Sequence, residues 1–120
     1  MGVFQQPDRE KNFMLVINAD NFESEVIQSK QPVVMDLWGP KCAPCLSLMP
    51  HVEALAEEYA GKIKFGKLNV MENRRLAITL KVMGVPTFLF YMRGEQKERI
   101  TGDHVTIEAI RAGAERLLSQ

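Results

Sequence analysis

Two rhythms of apolar and polar positions alternate along this chain. Phe13 to Ile17 is a short apolar run that reads as a strand. Asp20, with Glu23 a turn later, predicts a capping box and a helix whose buried side is Phe22, Val26 and Ile27. Val33-Val34-Met35-Asp36-Leu37-Trp38 is almost continuously apolar, as in a strand covered on both faces. The spacing then turns helical: Cys45, Leu48, Met49, Val52, Leu55, Ala56 and Tyr59 fall on one side. Pro50 lies within that helix and should kink it, and Gly61 should end it. Ile63 to Asn69 reads as a third strand. A short helix from Asn73 follows, carrying Leu76, Ala77 and Leu80. Thr87 to Met92 is a strand rich in Phe and Tyr, with Phe88, Phe90 and Tyr91 expected in the core. After the turn at Arg93-Gly94, Gln96 to Thr101 is charged, as edge strands often are. Thr106 caps a last helix with the apolar stripe Ile107, Ile110, Ala114, Leu117 and Leu118.

The order is therefore β-α-β-α-β-α-β-β-α. The first part alternates as an α/β sheet does, and the closing hairpin adds antiparallel strands. A chain of 120 residues makes one ordinary domain, here 13–120, behind a loose extension at 1–12. Fifteen basic residues offset fifteen acidic ones, which argues against nucleic acid or an anionic membrane surface as partner. No run is long enough to span a bilayer, and the first residues lack the apolar segment of a signal peptide. Gln6 stands where a myristoylation pattern needs Ser or Thr. These features lead us to expect a cytoplasmic monomer.

The chemistry concentrates in Trp38-Gly39-Pro40-Lys41-Cys42-Ala43-Pro44-Cys45, which holds both cysteines of the chain. The pattern puts them where a strand gives way to a helix. The first turn of a helix leaves N–H groups unpaired, and these favour negative charge. Thiolate is the reactive form of cysteine, so such a site lowers the cost of making it. Two thiols at this spacing share a face and can close a disulfide. Half of a zinc site is the competing reading, with only His51 and His104 left to add as imidazole ligands. Asp36 is the one charged residue in an apolar strand. Burial would raise its pKa towards that of a useful general base, or it is simply a buried polar residue held by an ion pair. Met35, Met49, Met83 and Met92 read as core filling, and His51 and His104 as surface residues.

Several separated signatures together resemble the thioredoxin family. They are Pro32 to Trp38, the pair Cys42 and Cys45, Pro50, Lys67-Leu68-Asn69, Gly84-Val85-Pro86-Thr87, Arg93-Gly94 and Gly102. The resemblance covers Phe13 to Leu118. It implies a thioredoxin fold: a mixed sheet of about five strands, in the order β1-β3-β2-β4-β5, flanked by about four helices. It implies a cis peptide before Pro86 beside the dithiol, and Lys67 as the neighbour that moderates Asp36. It implies protein-disulfide reduction with no bound cofactor beyond the reversible Cys42–Cys45 disulfide, and an external reductase to restore the dithiol. Cys42 would be the nucleophile, Cys45 the resolving thiol and Asp36 the general base. Trp38, Lys41, Ala43, Pro44, Val85 and Gly102 would meet the client protein.

The chain departs from the family's usual Trp-Cys-Gly-Pro-Cys-Lys. It reads Lys41-Cys42-Ala43-Pro44-Cys45-Leu46. Lys41 puts a cation where a flat aromatic is usual, which should favour the Cys42 thiolate. Met71 stands where an acidic residue is common, and Asp103 where a small apolar one is. A dithiol oxidant or isomerase, a binding module with incidental thiols, and a metal-bridged dimer are the alternatives.

Overall fold

Among the described residues five strands, numbered β1 to β5 along the chain, form one sheet in the order β1-β3-β2-β4-β5. The computed structural model describes residues 13–120, and the expected extension at 1–12 lies outside the described residues. The strands are β1 (Met14–Val16), β2 (Val33–Trp38), β3 (Lys64–Asn69), β4 (Thr87–Met92) and β5 (Glu95–Thr101). The first three run parallel, whereas β4 is antiparallel to β2 and β5 antiparallel to β4. Among the described residues, four helical segments and one 3₁₀ turn (Gly102–His104) accompany them: α1 (Glu23–Ile27), α2 (Ala43–Glu58), α3 (Arg74–Thr79) and α4 (Ile107–Leu118). This is the strand order that the resemblance implies.

The central strand β2 is apolar on both sides because both sides are covered. Successive side chains of a strand point to opposite faces. Val33, Met35 and Leu37 join Ile17, Val26, Leu68, Leu89 and Tyr91 in one core layer. Val34 faces the other layer with Phe65, Phe88, Phe90 and the α2 and α4 residues Val52, Leu55, Ile110 and Leu117. By the same alternation Asp36 points to the α2 side, in register with Lys67 on β3 and Phe88 on β4. Phe88, Phe90 and Tyr91 are buried, as expected.

Three local expectations are corrected. Asp20 is not a helix cap. The Asn18 side-chain oxygen accepts the N–H groups of Asp20 and Asn21 at 2.9 and 3.1 Å, so Asn18 makes the turn and Asp20 is exposed within it. The segment after it is a single π-helical turn, closed by Gln28 N–H donating to the Glu23 carbonyl at 2.9 Å. Met83 is 97% exposed rather than core. It lies in the connection after α3, where Lys81 turns the chain at φ 60° and no helical period continues. Leu118, at the end of α4, is partly exposed, while Ile110, Ala114 and Leu117 carry the buried stripe. Helix α2 runs unbroken through Pro50. Met35 is buried, and Met49 and Met92 pack against the core.

Candidate functional site

The cysteine loop is shaped by the end of β2 and the start of α2. Cys42 is the residue that caps α2: its backbone is extended, and its carbonyl accepts the Leu46 N–H at 3.1 Å. Its sulfur accepts the Cys45 N–H at 3.2 Å. A cysteine sulfur thus takes the place that Ser, Thr or Asp fills at most helix starts. Pro44 costs nothing in the first turn, where its missing N–H would have had no helical partner. Cys42 and Cys45 are joined in a disulfide, with their Cα atoms 5.2 Å apart. Cys45 is 1% exposed, whereas Cys42 keeps partial access to solvent. Lys41, Ala43 and Pro44 are exposed around it, and Trp38 is half-buried.

A second loop closes on the first. The Val85–Pro86 peptide is cis. Thr87 holds this loop from below: its hydroxyl donates to the Gly84 carbonyl at 2.7 Å, and the Thr101 hydroxyl lies 2.8 Å away. The Gly102 N–H donates to the Pro86 carbonyl at 3.0 Å. Val85, Pro86 and Gly102 therefore form one rim, although they come from different parts of the chain. That rim stands beside the cysteine loop. A Cβ placed on Gly39 would lie 3.8 Å from Val85 Cγ2 and 4.0 Å from Val70 Cγ2. Val70 is a neighbour of the cysteine loop that the sequence pattern did not single out. Its N–H donates to the Trp38 carbonyl at 2.9 Å, which brings the end of β3 alongside the end of β2.

Asp36 is 2% exposed. Desolvation pushes its carboxyl up from an ordinary 3.8 to about 7, and the Lys67 ammonium pulls the other way. Among the described residues the two make no direct ion pair, so Lys67 acts on Asp36 through space only. The reading of Asp36 as a residue satisfied by a salt bridge is therefore not what the structure presents. His51 and His104 are both exposed, on α2 and on the 3₁₀ turn after β5. Among the described residues no group of three or more His, Cys, Asp and Glu side chains is placed to hold a metal ion.

The comparisons with known proteins agree with this arrangement. Residues 13–115 match the thioredoxin family model. A thioredoxin of Peptoclostridium acidaminophilum is 41% identical over 99 residues, which is 82% of this chain and 90% of that protein. A thioredoxin of Acetoanaerobium sticklandii is 35% identical over 99 residues, covering 82% of this chain and 94% of its own. The chloroplastic M-type thioredoxin of Pisum sativum is 41% identical over 91 residues, 76% of this chain and 53% of that longer protein. With the strand order, the disulfide at the head of α2 and nearly the whole domain matched, the chain belongs to the thioredoxin family.

Proposed function

We propose that this protein reduces disulfides in client proteins, with Cys42 as the attacking sulfur and Cys45 as the resolving one. The observation that carries the reading is the Cys42 sulfur at the cap of α2, bonded to a Cys45 that is sealed from solvent. In the reduced protein the Cys42 thiolate would keep the Cys45 N–H as a donor and gain from the helix terminus. The exposed Lys41 cation beside it adds to that preference. The thiolate attacks one sulfur of the client disulfide. A Cys42–client bond forms, and the other client sulfur leaves as thiolate and takes a proton. Cys45, deprotonated, then attacks the Cys42 sulfur. The Cys42–Cys45 bond forms and the client's second thiolate is released. The protein has lost two electrons to the client, and a thioredoxin reductase returns them.

Asp36 is the general base that takes the Cys45 proton. A pKa of about 7 lets a carboxylate accept a proton near neutral pH, which an ordinary surface aspartate does poorly. Lys67 keeps that pKa from climbing further. Pro86, with Val85 and Gly102, holds the extended client segment against Trp38, Lys41, Ala43 and Pro44. We place the protein in the cytoplasm as a monomer. No helix among the described residues is long and apolar enough to cross a membrane.

Insulin reduction driven by a thioredoxin reductase and NADPH tests the assignment. Cys42→Ser should fall to the uncatalysed rate. Cys45→Ser should do one half-turnover and accumulate as a stable mixed disulfide, visible by mass spectrometry. If Cys42→Ser keeps its activity, or if Cys42→Ser rather than Cys45→Ser traps the client adduct, the roles are wrong.

A further inference from the structure

Arg99 is exposed on β5, yet both terminal nitrogens of its guanidinium are engaged. Nη1 donates to the Lys81 carbonyl at 2.7 Å, and Nη2 to the Leu80 carbonyl at 2.6 Å. Nη2 also donates to the Gln96 side-chain oxygen at 3.3 Å. The strand register explains the reach. Arg99 stands opposite Leu89 on β4, and cross-strand partners share a face of the sheet. Leu89 belongs to the core layer on which Leu80, Val82 and Val85 pack. Arg99 therefore projects over the side of the sheet where α3 ends.

The end of α3 needs such a partner, because the last carbonyls of a helix have none inside it. The turn itself takes up two of them. The Val82 N–H donates to the Ala77 carbonyl at 3.0 Å, and the Lys81 N–H to the Ile78 carbonyl at 2.9 Å. This closing pattern needs a residue in the left-handed region, usually glycine. Here that residue is Lys81, at φ 60°. A side chain there is strained, and such strain persists only where the surroundings hold it. The Leu80 and Lys81 carbonyls come next in the chain, and they are the two that Arg99 takes. Hydrogen bonds from a charged donor are the stronger kind.

From Lys81 the chain runs directly into the loop that carries Val85 and Pro86. The far end of that loop is tied by the Thr87 hydroxyl on the Gly84 carbonyl and by the Gly102 N–H on the Pro86 carbonyl. Met83 lies between the two ends, and among the described residues its backbone makes no hydrogen bond. Arg99 is thus the tie at the entrance, and Gly102 a tie at the exit. One comes from β5 and the other directly follows it, so a single strand gauges both ends of the loop. We propose that Arg99 is a positioning residue for client reduction: by gripping the Leu80 and Lys81 carbonyls it sets where Val85 and Pro86 stand beside the cysteine loop. It touches neither the client nor the sulfurs. The role rests on the reductase reading above.

Pre-reduced protein in single turnover, against insulin and against a small aromatic disulfide, tests this. Arg99→Met keeps most of the stem and removes every donor. Its rate with insulin should fall roughly tenfold, since even a small misplacement remote from the chemistry is felt at the reacting atoms. Its rate with the small disulfide should hold, because that substrate needs the Cys42 sulfur and not the Pro86 rim. Arg99→Lys offers one ammonium in place of a fork and should fall between the parent and Arg99→Met with insulin. Lys97→Met removes a neighbouring cation of β5, one paired with Glu95, and should change neither rate. Amide exchange at Val82 should quicken roughly tenfold in Arg99→Met, about the worth of a bond from a charged donor. Faster exchange with an unchanged insulin rate makes Arg99 a helix cap only and overturns the proposal. Equal losses with both disulfides overturn it too, since a general weakening of the fold would give them. A parent protein that reduces neither disulfide sinks the reductase reading and this role with it, a failure told apart because it precedes any substitution.

Discussion

Asp36 on β2 and Glu98 on β5 are carboxylates of one sheet, and the protein treats them in opposite ways. Glu98 sits at the edge, within reach of water. Arg116 of α4 grips it with two hydrogen bonds, at 2.6 and 2.7 Å, and holds its carboxyl below the ordinary range. Asp36 is in the middle, out of water, with Lys67 near but not touching, and its carboxyl is pushed up to about 7. The same group is an anchor in one place and a proton acceptor in the other. What separates them is a direct partner and solvent, not the residue type. The edge pair contributes to the fold while charged. The buried carboxylate works against the fold whenever it is charged, and it is found on the strand that leads into the dithiol.

Removing the buried charge should give the largest effect. The folded protein holds the Asp36 proton more tightly than the unfolded chain does. Stability from this group is therefore present below the ordinary pKa of 3.8 and is lost as pH rises through about 7. At about 1.4 kcal/mol for each pH unit between those values, the cost above pH 7 is roughly 4 kcal/mol. Asp36→Asn should escape it. Chemical denaturation at pH 4 and pH 8 reads this as a difference, because the buried amide carries its own cost at both pH values. The variant's advantage should grow by several kcal/mol from pH 4 to pH 8. Its client reduction at pH 7 should slow, because the sealed Cys45 thiol then loses its proton acceptor. A flat stability difference would break the contrast between the two carboxylates at its root.

A packing lesion on α4 sharpens the contrast by acting without charge. A Cβ on Gly113 would come within 2.5 Å of Phe90 Cε2, and that ring is fully buried. Alanine is the better helix former by about 1 kcal/mol, but overpacking a core costs roughly 1–3 kcal/mol. The clash should win, and Gly113→Ala should lose about 1–2 kcal/mol equally at pH 4 and pH 8. A pH-dependent loss would mean that core packing and the Asp36 charge are coupled. Lys67→Met changes less. It removes the one influence that lowers the Asp36 pKa, so the midpoint of that carboxyl, followed by carbon NMR, should move above about 7. The pH profile of client reduction should move the same way.

How much of this was legible beforehand follows the range of the interactions. The strands could be read because β2 and β4 are buried on both faces and so apolar but for Asp36 and Thr87. The cysteine pair could be read because two thiols at a strand–helix junction have little other use. Asp36 announced itself as one charge in an apolar run. Asn18 did not, because a side chain that closes its own turn leaves no period to detect, and Asp20 with Glu23 gave a stronger local signal. Gly113 did not, because its reason is Phe90, a ring from across the core. Met83 looked like core because apolar character was weighed without a period to place it. The place of Val70 beside the cysteine loop could not be seen at all. It follows the end of β3 in the chain, and only folding sets it near Gly39.

The smallest change is expected at the edge. Glu98→Gln removes the charge that Arg116 grips but keeps the shape. Because the pair lowers the Glu98 pKa, its stabilisation is present above the ordinary value of 4.5 and is lost as pH falls through the folded value. Water and salt already screen the pair, since the Arg116 side chain is largely exposed. The variant should therefore melt slightly below the parent at pH 7 in low salt, and match it at 1 M salt or near pH 3. Client reduction should not change, because among the described residues neither Glu98 nor Arg116 hydrogen-bonds to the cysteine loop or to Asp36. If Glu98→Gln instead shifted the pH profile of client reduction, the edge and the dithiol would be linked through the sheet. The opposition between an anchoring carboxylate and a working one would then no longer be one of place.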